Sequence, residues 1–305
     1  MITLSSNTLY ARPFLKWAGG KSQLIPAIDA ALPADISKRK KLTYIEPFIG
    51  SGAVLFWFLK KHANVQKAVI NDINPDLTNA YITIRENPLA LIDSLKQLQT
   101  KYHKLDSAEQ KQFYLQKREA FNARNLSALD NTVLLIFLNK TCFNGLYRVN
   151  SKNQFNVPFG RHDNPRICDA ETIMADSELL QRVTILNGDY QDTLKHATKD
   201  TFFYFDPPYR PISKSSSFTA YAKDVFDDEE QNRLKNFCDK LTANRHQWLL
   251  SNSDPKNVDP DDNFFEELYS GNGIYIDKVK AKRAINSNAA KRGEITELMI
   301  SNYEK

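Results

Sequence analysis

Phe205-Asp206-Pro207-Pro208-Tyr209-Arg210 brings a carboxylate, a rigid backbone and an aromatic ring together within six residues. Two consecutive prolines cannot continue a central strand, so the aromatic run Thr201–Phe205 must stop at Asp206 and turn. Asp206, Pro207, Pro208 and Tyr209 then sit at the carboxyl end of a strand, where open α/β sheets bind their ligands. The Asp206 carboxylate and the Pro207 carbonyl can both accept hydrogen bonds from a substrate amine. Such a clamp draws the amine toward tetrahedral geometry and frees its lone pair for an electrophile, while Tyr209 stacks on the ring that carries it. Pro207-Pro208 alone would be an ordinary strand-ending turn. With Asp206 before and Tyr209 after, the stretch points to a site.

Two further acids end strands. Leu42–Glu46 reads as a strand, Pro47-Phe48-Ile49-Gly50-Ser51-Gly52 as a glycine turn and Ala53–Lys61 as a helix. That is the opening of a nucleotide-binding βαβ unit, with a helix N-terminus behind the glycines. The next strand, Lys67–Asn71, runs into Asp72, about twenty residues beyond Gly52, the spacing at which an acid meets a ribose hydroxyl. No Gly-Lys-Ser/Thr closes the turn, so a ligand with a ribose and no triphosphate fits better. Arg182–Leu186 leads to Asn187-Gly188-Asp189-Tyr190, where Asp189 is suited to accept from an adenine amine beside an aromatic ring. Trp17, Gly19, Gly20 and Lys21 add a flat face and a backbone that a ligand can approach closely.

Phe143 to Arg161 interleaves aromatic, amide and cationic side chains around the turn-forming residues Asn150–Asn153, which predicts a β-hairpin. An arginine there can bond guanine bidentately and an aromatic can wedge into a base stack. A structural hairpin with surface arginines accounts for the same pattern.

The remaining segments supply the frame. Ser22–Leu32, Leu77–Arg85, Pro88–Tyr102, Ala108–Arg124 and Asn131–Cys142 read as helices, the middle ones as an inserted layer without chemistry of its own. Asp228–Ala243 reads as a helix, Trp248–Asn252 as a strand, and Ile274–Lys280 with Ile295–Asn302 as a closing antiparallel pair. Ser213–Tyr221 is expected to be a mobile loop, and Lys282–Gly293 a basic loop that needs a polyanion to order it. The 305 residues carry a net charge of +5, which permits a polyanionic partner. Three cysteines without a CxxC pair or a histidine cluster argue for a reducing compartment and against a zinc site, so no metal is expected. The apolar run Val133–Leu138 is too short to span a bilayer, and Met1–Ser6 lacks the regions of a signal peptide. A cytoplasmic protein is expected, with no membrane partner.

Taken together, the ribose-spaced acid, the adenine-facing acid and the amine clamp match methyl transfer from S-adenosylmethionine to a base amine. The reaction needs no covalent nucleophile, because the cofactor supplies the electrophile and positioning does most of the work. A base inside a duplex would have to flip out to reach such a pocket.

Here the chain resembles the Dam-type DNA adenine-N6 methyltransferases of the D12 class (alpha group), which act on GATC. FLKWAGGK, EPFIGSG, NGLYRVN…FNVPFG and DPPY occur in that family's order, over most of the chain. The resemblance implies an α/β fold, a Rossmann-like S-adenosylmethionine-dependent methyltransferase sheet. Residues 1–85 and 165–305 would form the catalytic domain, and 86–164 an inserted helical and β-hairpin target-recognition domain. Trp17, Lys21, Phe48, Gly50, Gly52, Asp72, Asp189, Tyr190 and Asp206 would surround the cofactor. Asp206, Pro207, Pro208 and Tyr209 would hold the flipped adenine. Lys16, Asn144, Leu146, Arg148 and Pro158 fall where the family reads bases of double-stranded DNA, and Phe143 where an aromatic wedges into the duplex. Such an enzyme marks DNA, or protects it from a cognate restriction endonuclease acting separately; a monomer is the simplest expectation. An RNA adenine or cytosine-N4 methyltransferase, a glutamine methylase and a non-catalytic DNA-binding module are the rival readings. The intact Asp206 and cofactor turn disfavour the last.

Overall fold

The computed structural model describes residues 10–17, 19–210, 226–282 and 294–305. The expected loop Ser213–Tyr221 and residues 283–293 of the basic loop lie outside them. Seven strands form one sheet in the order β3-β2-β1-β4-β5-β7-β6. They are β1 (Leu42–Glu46), β2 (Val65–Asp72), β3 (Val183–Asn187), β4 (Thr201–Phe205), β5 (Gln247–Ser253), β6 (Tyr275–Lys282) and β7 (Glu294–Ser301). The first five run parallel, and β7 is antiparallel to both β5 and β6. β1 and β4 are buried along their whole length, as strands covered on both faces must be. Alternate residues of β4 enter opposite cores: Phe202 and Tyr204 one, Phe203 and Phe205 the other.

The first core is roofed by α1 (Ile25–Ala31), α2 (Ala53–Lys61), α3 (Pro75–Glu86) and α7 (Ala170–Leu180). The second lies under α8 (Asp228–Ala243) and the short α9 (Phe264–Leu268). The chain builds β1, β2 and β3 outward, then returns to lay β4 on the other side of β1. The crevice opens at that reversal, at the carboxyl ends of β1 and β4.

α4 (Pro88–His103), α5 (Ser107–Asn122) and α6 (Ala128–Thr141) form a further layer, and α6 packs against α3, α4 and α5. Because α6 is covered on every side, it carries apolar residues all round instead of a stripe. Phe137 meets Phe113 edge-on at 5.7 Å and Tyr102 at 5.4 Å, and these rings belong to the same core as Phe202. Among the described residues no helix is long and apolar enough to cross a membrane.

Two expectations need correction. Ser22–Leu32 is not one helix: a 3-10 turn at Lys21–Gln23 precedes α1, whose Pro26 fits only the first turn. The hairpin expected around Asn150–Asn153 is confined to one antiparallel bridge, Val149 with Phe155, closed by the Asn150 N–H to Gln154 carbonyl (2.9 Å) and Asn156 N–H to Arg148 carbonyl (3.1 Å) bonds. The rest of the segment is an arch, with a second isolated bridge pairing Cys142 with Phe159. Left-handed backbone at Asn144 (φ 57°) and Gly145 (φ 66°) turns the chain away from a ladder. Side chains of α5 cover its outer edge: Asn122 exchanges bonds of 3.0 and 2.7 Å with Phe155, and the Tyr114 hydroxyl donates to the Val157 carbonyl at 2.7 Å.

Asp76, buried at the start of α3, ties the arch to the sheet. It accepts from Tyr147 (2.9 Å), Arg124 (2.6 Å) and Asn131 (3.3 Å). Asp76→Ala strands the Arg124 charge and the Tyr147 hydroxyl, at a cost of about 2–3 kcal/mol. A urea midpoint unchanged by the substitution would show that this knot does not hold the arch.

Candidate active site

Asp206 follows directly on β4, and its Oδ1 lies 3.0 Å from the Lys21 ammonium. The Ser251 hydroxyl, on neighbouring β5, donates to the same oxygen at 3.4 Å. Burial pushes the Asp206 carboxyl above its usual range, and the Lys21 charge opposes that shift. Lys21 is only 4% exposed. Its ammonium also donates to the Tyr209 hydroxyl and lies 4.2 Å from the centre of the Tyr209 ring. The Tyr209 hydroxyl in turn donates to Glu297 of β7 at 2.6 Å. Gln231 of α8 reaches the Pro208 carbonyl at 3.4 Å. Arg210 is drawn away, paired with Asp228 (2.5 Å) and Asp262 (2.6 Å).

The glycine turn faces this group. Trp17, Lys21, Glu46, Gly50 and Asp206 line one small cavity. Gly52 adopts φ 73°, and a Cβ there would stand 2.5 Å from the Tyr81 hydroxyl, which itself donates to the Gly50 carbonyl at 3.0 Å. A side chain at Gly52 is excluded by both conformation and space. Asp72 accepts from the Gly50 N–H (3.2 Å) and the Asn74 N–H (2.9 Å). Burial nonetheless raises its carboxyl to about 6. Asn71 binds the loops together by donating to the Pro47 (3.1 Å) and Gly188 (3.0 Å) carbonyls. Phe48 and Tyr190 pack at 5.0 Å, while Asp189 pairs with Arg233, whose guanidinium covers the Tyr190 ring at 4.9 Å.

The arch meets the site through Asn139 of α6. Its amide accepts from the Lys16 N–H (2.9 Å) and donates to the Lys16 (2.9 Å) and Gly145 (2.8 Å) carbonyls. Trp17 stacks on Tyr147 at 5.0 Å. Phe143 is 51% exposed, and Asn144 and Pro158 are exposed beside it. Arg148 is held by the Asn156 side chain at 2.7 Å, and Leu146 is half-buried. The expected residues thus fall into two groups, one around the cavity and one along the arch. Sequence reading passed over Glu46, Ser251, Glu297, Asn71 and Asn139. Of these, Glu46 opens the EPFIGSG stretch and Asn71 directly precedes Asp72.

A glycine turn, a strand-end acid at ribose spacing and a carboxylate-proline-aromatic turn, at the switch point of this sheet, define a Rossmann-like methyltransferase. The family model for D12 class N6 adenine-specific DNA methyltransferases matches residues 17–285. The chain is similar to "Type II methyltransferase M.MjaIII" of Methanocaldococcus jannaschii, at 44% identity over 96% of this chain and 99% of that relative. It is 38% identical to "Type II methyltransferase M1.LlaDCHI" of Lactococcus lactis subsp. cremoris, over 99% of both chains. A "DNA adenine methylase" of Haemophilus influenzae is 35% identical over 94% of this chain and 92% of its own length. The chain belongs to the D12 class family and is an adenine-specific DNA methyltransferase.

Lys21 is the charge that offsets the burial of Asp206. Lys21→Met should therefore raise the Asp206 carboxyl titration further, followed by its carbon-13 carboxyl shift. An unmoved titration would mean that Lys21 does not set this charge.

Proposed function

We propose that the enzyme transfers methyl from S-adenosylmethionine to N6 of an adenine flipped out of double-stranded DNA, within GATC. The observation that carries the reading is the meeting of Asp206, Lys21 and Tyr209 beside the Gly50–Gly52 turn. Asp206 and the Pro207 carbonyl accept from the adenine amine, which pulls its lone pair out of the ring. Tyr209 stacks on the flipped base, and Pro208 keeps the turn rigid. No group has to form a covalent bond with the substrate; orientation and the exclusion of water carry the rate.

The cavity residues fit the cofactor: Asp72 presents a buried carboxylate at ribose spacing, and Gly50 and Gly52 keep the turn bare. Trp17, Lys21, Phe48, Asp189 and Tyr190 complete the cradle. The bound cofactor supplies a sulfonium-borne methyl group as the electrophile.

Residues 86–164 act as the target-recognition insertion upon a catalytic domain of residues 1–85 and 165–305. Lys16, Asn144, Leu146, Arg148 and Pro158 read the bases, and Phe143 wedges into the stack. Support for GATC comes from the resemblance of residues 143–161; the relatives named DNA adenine methylase support adenine as the target base. The relatives named type II methyltransferases favour a partner restriction endonuclease over a solitary enzyme.

Two short duplexes, one with GATC and one with those bases scrambled, separate chemistry from recognition. Methyl label recovered as N6-methyladenine in the first alone is expected. Equal labelling of both would discard GATC and keep the reaction. Asp206→Ala should abolish transfer while leaving fold and DNA binding intact, and residual transfer near the wild-type rate would remove Asp206 from the clamp.

The cofactor ribose calls for an ionised Asp72, whose carboxyl sits at about 6 in the free protein. Protonation removes its charge and weakens it as an acceptor, so affinity should be flat above about pH 7 and fall up to about tenfold per pH unit below 6. Calorimetry across pH 5 to 8 tests this. A profile that is equally steep for Asp72→Asn would assign the titration to another group.

A further inference from the structure

Glu297 lies in the middle of β7, paired across the sheet with Val279 of β6 and Ser253 of β5, and is only 4% exposed. A carboxylate so placed costs several kcal/mol unless its charge is compensated by hydrogen bonds or a cation. Such a cost is hard to account for as strand structure alone, since a threonine or valine would fill the position. Its bond to the Tyr209 hydroxyl is 2.6 Å, in the short range of a charge-assisted contact. The phenol keeps its proton, because burial and the nearby Asp206 and Glu297 carboxylates push it well above its usual range. Tyr209 is therefore the donor and Glu297 the acceptor.

The phenol oxygen is engaged from the other side as well, by the Lys21 ammonium, which also lies 3.0 Å from Asp206. The result is one directed chain: Lys21 donates to Asp206 and to Tyr209, and Tyr209 donates to Glu297. Its two ends belong to different elements, one on the loop before α1 and the other on β7. Lateral shift of the ring therefore breaks a bond at one end or the other.

We propose that Glu297 is a positioning residue for methyl transfer, fixing the Tyr209 ring through its hydroxyl so that a flipped adenine stacks in register with the Asp206 and Pro207 acceptors. The inference rests on the reading of Tyr209 as the ring that receives the base. A small displacement at a reacting centre costs up to about a hundredfold in rate. Binding of the duplex as a whole, made along the arch, does not depend on it.

The test is a double-mutant cycle of Glu297→Gln and Tyr209→Phe, read as single-turnover methyl transfer at saturating cofactor and duplex. A parallel reading uses 2-aminopurine at the target position, whose fluorescence reports stacking of the extruded base. Glu297→Gln should slow transfer by about tenfold or more and change the 2-aminopurine signal, with duplex affinity held within about twofold. In the Tyr209→Phe background the same substitution should cost less than about twofold, because the hydroxyl through which it acts is gone. Losses that multiply across the cycle, or a slowed rate with an unchanged fluorescence signal, would overturn the inference and leave Glu297 structural. If Glu297→Gln does not fold, Tyr209→Phe alone decides: it should reproduce the slow transfer on an intact fold, and a wild-type rate refutes the proposal. Tyr209→Ala separates the two levels. Should it transfer methyl at the wild-type rate, the reading of Tyr209 as the stacking ring fails, whatever Glu297 does.

Discussion

The Lys21 ammonium has to answer for a cluster of buried carboxyl groups. Asp206 is in direct contact, Glu297 is one hydroxyl away, and Glu46 lines the same cavity. Opposite charges a few ångströms apart in a desolvated site interact far more strongly than on the surface, so the carboxylate nearest Lys21 gains most from it. Asp206 takes the direct bond. Glu46, 2% exposed and bonded to the Tyr44 hydroxyl at 2.7 Å, is driven by burial well above the usual carboxylate range and keeps its proton. The arrangement leaves Asp206 as the carboxylate in direct contact with the Lys21 ammonium.

That electrostatic balance explains why the sheet has the order it does. Lys21 arrives from the loop before α1, Asp206 from β4, Glu46 from β1 and Glu297 from β7. Only where β4 returns beside β1 can a loop preceding both strands enter between their ends. Ser251 of β5 then reaches Asp206 from one side, and Asn71 of β2 secures the glycine turn from the other. The crevice is a consequence of topology, and its charge is a consequence of which strand ends meet there.

Much of this was legible in the chain. β1, β4, α2 and α8 begin and end where composition and turn chemistry put them, because glycine, proline and acidic caps mark their boundaries locally. The cavity-facing motifs were legible for the same reason: a turn that must stay bare needs glycine, and a strand that must stop needs proline. Glu297 was not. In Glu294-Ile295-Thr296-Glu297-Leu298-Met299-Ile300 it reads as one polar position in an alternating strand, and only pairing with β5 shows that this position is buried. Asn139 was hidden likewise inside an apolar helix, where an amide looks like an interruption until its three bonds are seen. The hairpin expectation held only at the turn: Val149 and Phe155 pair there, and α5 bonds the outward-facing groups of Phe155 and Val157, so the pairing stays one bridge long.

Asn139 also decides how far the arch and the cavity can act separately. Its one side chain fixes Lys16 at both backbone groups and Gly145 at its carbonyl, leaving neither segment free to move without breaking buried hydrogen bonds. Gly145 reinforces the contact, since a Cβ there would come within 2.5 Å of the Lys16 side chain. Trp17 then closes on Tyr147, whose hydroxyl is bound to Asp76 at the start of α3. A displacement of the arch is thereby carried to Trp17, a wall of the cavity, through contacts that are packed and hydrogen-bonded along their length. The arch and the Lys16–Lys21 loop lie more than a hundred residues apart in the chain, yet these contacts join them. A shift of the arch therefore has a direct mechanical route to the geometry around Lys21 and Asp206.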